Sequence, residues 1–179
     1  MDAAKNASDK INIIQVRHEQ SALHLADGYY RVSGSPLACF TSIGPGALNT
    51  AIGLGTCFVE STSAMVISGA PHTYMRGRGV LQEIERKAPA DLPSALEPLV
   101  KKAYKPSKHN ELFDAMDDAF VQMRTGRPGP VFMSLPMDLQ SDAADVPKAE
   151  SHPVDAQQPE PDPAAIQTAA ELLMNANRA

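Results

Sequence analysis

Four stretches of this 179-residue chain are mainly apolar and do not alternate with charged residues: INIIQV (11–16), PLACFTS (36–42), SAMVISG (63–69) and the run that closes GRPGPVFMSLP (126–136). A strand with one wet face alternates apolar and polar residues, whereas a short continuous run suits a strand covered on both faces. Helical periodicity stands between the runs. From His18 to Ser33, Ala22, Leu25, Ala26 and Tyr29 recur at helical spacing, and Gly34 supplies a stop. The Gly44-Pro45-Gly46 break precedes a second helix, expected from Ala47 to about Glu60. The loop HTYMRGRG (72–79) leads into LQEIER, a helical turn at most, and prolines at 93, 98 and 106 exclude a long helix over 91–106. Residues 111–126 form an amphipathic helix with Leu112, Ala115, Met116, Ala119, Phe120 and Met123 on one face. Strand–helix–strand–helix–strand with buried strands predicts a parallel α/β sheet.

Composition narrows the class. Hydrophobic residues at 43% suffice for a core, and aromatics at 5% with no Trp leave much of the packing to small side chains. A net charge of −5 without a basic cluster argues against nucleic acid as a partner. Cys39 and Cys57 lie inside apolar runs with no CxxC, and read as reduced core residues of a cytoplasmic protein. No run approaches the roughly 18 apolar residues of a membrane span, and MDAAKNASDK has no apolar segment of a signal peptide. Between Pro136 and Pro163 the chain turns rich in Pro, Asp, Glu, Gln and Ala, which marks a linker over 143–161. A new helix then opens, with Asp162 as cap, Pro163 in first position and an Ile166, Ala169, Ala170, Leu173 stripe.

Ligands of parallel sheets bind beyond the carboxyl ends of the strands. Glu19, the loop at 42–46 and the loop at 69–79 each follow an expected strand, so all three should gather on one edge. An acid in a first helical turn is explained by the helix dipole alone. The Gly-Pro-Gly turn lets backbone approach a flat ligand, yet GPGALN lacks the third glycine of GxGxxG and no GK[ST] follows. Gly53 and Gly55 inside the second helix cost about 1 kcal/mol each, which a close helix–helix contact, within the chain or across a subunit boundary, would explain. His18 and His24 point roughly 240° apart on a helix and form no HExxH, so no protein-bound metal is expected. A GxSxG elbow is absent too.

Taken in order and at these separations, RHEQSALHLADGYYRVSG, CFTSIGPGALNTAIGLGTCFVESTSAMVISG, GRGVLQEIER and GRPGPVFMSLPMDLQ resemble the thiamine diphosphate-dependent family of acetolactate synthase, benzoylformate decarboxylase and oxalyl-CoA decarboxylase. The resemblance covers about residues 11–142 and is to the N-terminal, pyrimidine-binding domain, an α/β fold whose parallel sheet has helices on both faces. It implies that Glu19 hydrogen-bonds N1′ of the aminopyrimidine, so that the cofactor can lose its C2 proton and act as electron sink for a 2-oxo acid. Partial desolvation of Glu19 by the ring would hold that proton near neutral pH. It also implies that Gly44, Pro45 and Gly46 line the pyrimidine pocket with Asn49 behind, and that Gln82 faces the substrate side. Arg127 falls where flavin-binding members carry an arginine; many relatives keep it without flavin, so FAD is optional.

Departures from the family pattern shape the domain reading. Only about ten residues precede the first apolar run, where the family has a strand, a glycine-rich loop and a helix. No GDG motif occurs, so Mg²⁺ and the diphosphate are expected to be held by a C-terminal domain of the same or a partner chain. Residues 1–142 thus read as an incomplete pyrimidine-binding domain, 143–161 as a linker and 162–179 as the start of a central domain. The chain is expected to be an inactive fragment of an enzyme that works as a homodimer or homotetramer on a 2-oxo acid, by decarboxylation or carboligation. The alternatives are a stand-alone subunit of a two-chain decarboxylase and a non-catalytic oligomerisation module.

Overall fold

The computed structural model describes residues 6–80, 82–84, 91–147 and 160–177. Helix α1 (Glu19–Ser33) begins at His18, whose backbone is extended and whose Nδ1 accepts the Gln20 N–H, and ends at Gly34 in the left-handed region at φ 69°. That glycine returns its N–H to Tyr30 O, the stop read from the sequence. Strand β1 (Leu37–Thr41) follows. The expected second helix is two pieces, α2 (Pro45–Leu48) and α3 (Ala51–Glu60), because Asn49 and Thr50 break it and the Thr50 hydroxyl donates to Ala47 O. Strand β2 (Ala64–Ala70) leads into a 3-10 turn at Thr73–Met75. Further on come α4 (Leu92–Leu96), a 3-10 turn (Glu97–Leu99), β3 (Lys102–Tyr104), α5 (His109–Arg124), β4 (Val131–Pro136), α6 (Met137–Ser141) and α7 (Pro163–Met174).

The sheet is four-stranded and wholly parallel in the order β1-β2-β4-β3. Alternate residues of β2 enter two separate cores. Ala64 and Val66 join Cys39, Phe132, Leu23, Ala26, Leu54, Cys57, Leu92 and Leu96 under α1, α3 and α4. Met65 and Ile67 join Met133, Tyr104, Ala119 and Met123 under α5. Helices therefore cover both faces, and the mainly apolar runs of β2 and β4 are explained. Both cysteines are free and buried; burial pushes the Cys39 thiol up to about 12 and raises that of Cys57 as well.

Two further expectations are corrected. Residues 11–16 form no strand: Ile11, Ile13 and Ile14 are half exposed or more. An apolar run becomes a strand only when another strand takes its backbone groups, and β1, the next strand along, pairs on its β2 side alone. Phe120 is 46% exposed, at the margin of an α5 face centred on Ala119 and Met123. The stretch 91–106 holds no long helix, as its prolines required, but the short α4, a 3-10 turn and the edge strand β3. Half of LQEIER (Leu81, Glu85 and Arg86), like much of the expected linker, lies outside the described residues. Helix α7 starts with the expected Asp162 cap on the Ala164 N–H, and all its described residues are exposed.

Candidate functional site

The carboxyl ends of β1, β2 and β4 carry the loops that matter. Leaving β1, the chain is tied to its neighbour where the Ser68 hydroxyl donates to Ser42 O at 3.2 Å. Gly44 then turns at φ +65° to cap α2. A side chain on Gly46 would stand 2.3 Å from Ser42 Oγ and 3.2 Å from Glu19 Oε1, so the glycine leaves room for both side chains over the turn. Asn49, one turn further, donates from Nδ2 to Glu19 Oε2 at 3.1 Å. Thus Glu19 comes to the edge through α1 and not from a preceding strand, and residues thirty apart in sequence meet there.

The Glu19 carboxyl is lowered from its ordinary value, first by a backbone N–H and then by Asn49, against a smaller opposing effect of burial. It therefore stands ionised at neutral pH in the protein by itself. Holding a proton near neutrality, as read from the sequence, would require the desolvation that a bound ring brings.

Gln82 reaches the same turn. Its carbonyl oxygen lies 2.1 Å from where a Cβ on Gly44 would be, and its backbone adopts φ 60°, a conformation that costs a non-glycine residue about 1 kcal/mol or more. Beside it the buried Glu83 accepts the Gly77 N–H at 3.4 Å through Oε1, while Oε2 has no partner. Asp138, just past β4, accepts the Thr73 N–H and hydroxyl at 3.1 and 2.5 Å and fixes the loop that leaves β2. Neither Glu83 nor Asp138 was singled out from sequence. Asp138 was findable by the rule that flagged Glu19, an acid where a strand hands over to a helix; the burial of Glu83 leaves no such mark.

Arg127 stands apart. It precedes β4, at the amino edge of the strands, and donates to Val59 O and Ser61 Oγ, both at 2.6 Å, closing the end of α3. Phe58, Val100, Lys101 and Pro128 line an open groove beside it, and Lys101 is itself engaged by Gln122 O and Thr125 O. Among the described residues no three His, Cys, Asp or Glu side chains gather to hold a metal ion. No described helix is long and apolar enough to cross a membrane.

Residues 1–89 match the family model described as thiamine pyrophosphate enzyme, N-terminal TPP binding domain. The chain belongs to this family of thiamine diphosphate-dependent enzymes, within whose N-terminal domain its parallel α/β sheet falls. The relatives are more particular. A probable acetolactate synthase large subunit of Methanocaldococcus jannaschii is 33% identical over 96% of this chain and 29% of its own length. The acetolactate synthase isozyme 3 large subunit of Escherichia coli K12 is 33% identical over 76% of this chain and 23% of its own. An acetolactate synthase of Arthrospira platensis is 37% identical over 69% of this chain and 20% of its own. The chain is acetolactate synthase-like and spans less than a third of the length of these relatives.

Proposed function

We propose that this chain is the pyrimidine-binding part of a thiamine diphosphate-dependent, acetolactate synthase-like enzyme acting on a 2-oxo acid. Residues 1–142 form that unit, 143–161 a linker and 162–179 the opening of a central domain. One observation supports this above others: the Glu19 carboxylate lies on the Gly46 turn with Asn49 bonded to one oxygen, leaving Oε1 toward the space that glycine keeps open. That cradle fits the edge of a flat heterocycle. The bound cofactor would supply an electron sink for decarboxylation and carboligation.

The chain's own residues divide the remaining work. Glu19, ionised before binding, accepts a hydrogen bond at Oε1 and holds a proton once the ring shields it from water. Asn49 fixes Oε2, so the carboxylate cannot swing. Gly44, Pro45 and Gly46 let backbone approach the ring, and Gln82 faces the substrate. Arg127 closes α3 and touches no reacting group. Mg²⁺ and the diphosphate are assigned to a C-terminal domain of the same or a second chain, in a cytoplasmic homodimer or homotetramer. This chain alone is inactive.

The test uses the full-length protein that carries this domain. Calorimetric titration measures the binding. Wild type binds thiamine diphosphate with Mg²⁺ and consumes pyruvate; Glu19→Gln still binds but loses about 10²–10⁴-fold in turnover. Wild-type turnover in that variant overturns the assignment. Tight binding and turnover by the 179-residue chain with a separate partner would favour the two-chain arrangement instead.

A further inference from the structure

The turn that places Gln82 is strained, and something must hold it. Gln82 sits at φ 60° with its carbonyl pressed on Gly44. The buried group beside it is Glu83, 9% exposed, with its backbone N–H on Val80 O at 2.9 Å. Its Oε1 accepts the Gly77 N–H across six residues, so one side chain ties both ends of the 77–83 loop. Its Oε2 is buried without a partner.

That side chain borders a cavity of about 20 Å³ shared with Ile43, Ala70, Arg76, Asp91, Lys105 and Ser134. The space has room for about one water molecule. Neighbouring charges are already engaged: Lys105 with Asp91 at 2.6 Å, and Arg76 with Pro106 O and Ser107 Oγ at 2.8 Å. A buried carboxylate in such a place acts on the backbone around it.

We propose that Glu83 is a positioning residue: by gripping Gly77 from beneath, it keeps the Gln82 turn seated on Gly44 and so sets where the Gln82 side chain meets the substrate. This rests on the cofactor-site reading above and adds a determinant of substrate affinity to it. A carboxylate matters less than an acceptor at this position, because the visible bond is to a backbone N–H. Glutamine should therefore replace it in large part, and alanine should not.

The experiment uses the full-length protein with Glu83→Ala, Glu83→Gln and Gln82→Gly, the last relieving the strained φ. Each variant is measured for thiamine diphosphate affinity by calorimetry, for C2–H exchange of the bound cofactor, and for KM and kcat on pyruvate. Glu83→Ala should raise KM about tenfold or more, since a displacement of about 1 Å in a positioning group acts on that scale. Cofactor affinity and C2–H exchange should stay within about twofold of wild type, as expected when only substrate binding is lost. Glu83→Gln should recover most of the KM, and Gln82→Gly, which deletes the substrate-facing side chain itself, should raise KM at least as far as Glu83→Ala. An unchanged KM in Glu83→Ala, or a glutamine variant as impaired as alanine, overturns the proposal. If wild type itself fails to bind the cofactor, the cofactor-site reading has failed instead.

Discussion

Gly53 offers a stability test whose sign comes from geometry. In most helix interiors, replacing Gly by Ala gains about 0.8–1.0 kcal/mol through backbone entropy. At Gly53 of α3, however, the added methyl would lie 2.3 Å from Leu23 Cβ and 3.1 Å from its Cγ. That is about 1.1 Å short of ordinary contact, and the obstructing atom is rooted in the backbone of α1, so no rotamer change relieves it. Helix α1 must move, and such overpacking costs about 1–3 kcal/mol. Gly28, within α1, is the matched control: a methyl there meets nothing within 4 Å. Gly28→Ala should stabilise by up to about 1 kcal/mol and Gly53→Ala should destabilise by about 1–2 kcal/mol. The gap of about 2–3 kcal/mol between them corresponds to roughly 4–12 °C in Tm for a chain of this size. Thermal and urea unfolding measure it. Because α1 also carries Glu19 one turn before Leu23, Gly53→Ala should weaken cofactor binding by the full-length protein while Gly28→Ala leaves it alone. Equal stabilisation by the two substitutions would refute the packing account.

Gly44→Ala should cost about 1–3 kcal/mol, because its methyl would strike the Gln82 carbonyl at a backbone angle that disfavours any side chain; a shifted Gln82 amide resonance in the variant checks the direction. Arg127→Ala removes two hydrogen bonds from the end of α3 and should cost about 1 kcal/mol in urea unfolding, with cofactor affinity unchanged. Asp118, which accepts from Lys102 and Tyr104, is held below the ordinary carboxylate range first by Lys102. Stability from a lowered carboxyl is complete above its unfolded pKa near 4 and is lost as pH falls through the lower folded value. Urea midpoints should therefore fall on acidification below about pH 4, and Asp118→Asn should show a shallower acid limb with a lower midpoint near neutrality.

Much of this architecture is written in local pattern. The runs that became β1, β2 and β4 are apolar because both faces of the sheet are covered, and Gly34 marks the end of α1 by its left-handed backbone. What escaped depends on partners. Residues 11–16 have a strand's composition, but a ladder is a property of two segments. β3 has three residues, one of them the exposed Lys102, and becomes a strand through its pairing with β4. At the site, Glu19, Gly46 and Asn49 were each visible as residue types beside breaks in pattern. Their meeting is tertiary, made by the α1–α3 packing that Gly53 permits. The small residues of α3 thus serve an intrachain contact at Gly53. Arg127 drew notice through its motif and proved to close a helix end, while buried Glu83 carried no local sign at all.

The account stands most directly on the rate at which C2–H of thiamine diphosphate exchanges with deuterium when bound to the full-length protein. It predicts rapid exchange in wild type and a loss of about 10²-fold or more in Glu19→Gln at unchanged cofactor occupancy. Exchange at the wild-type rate in that variant would contradict it.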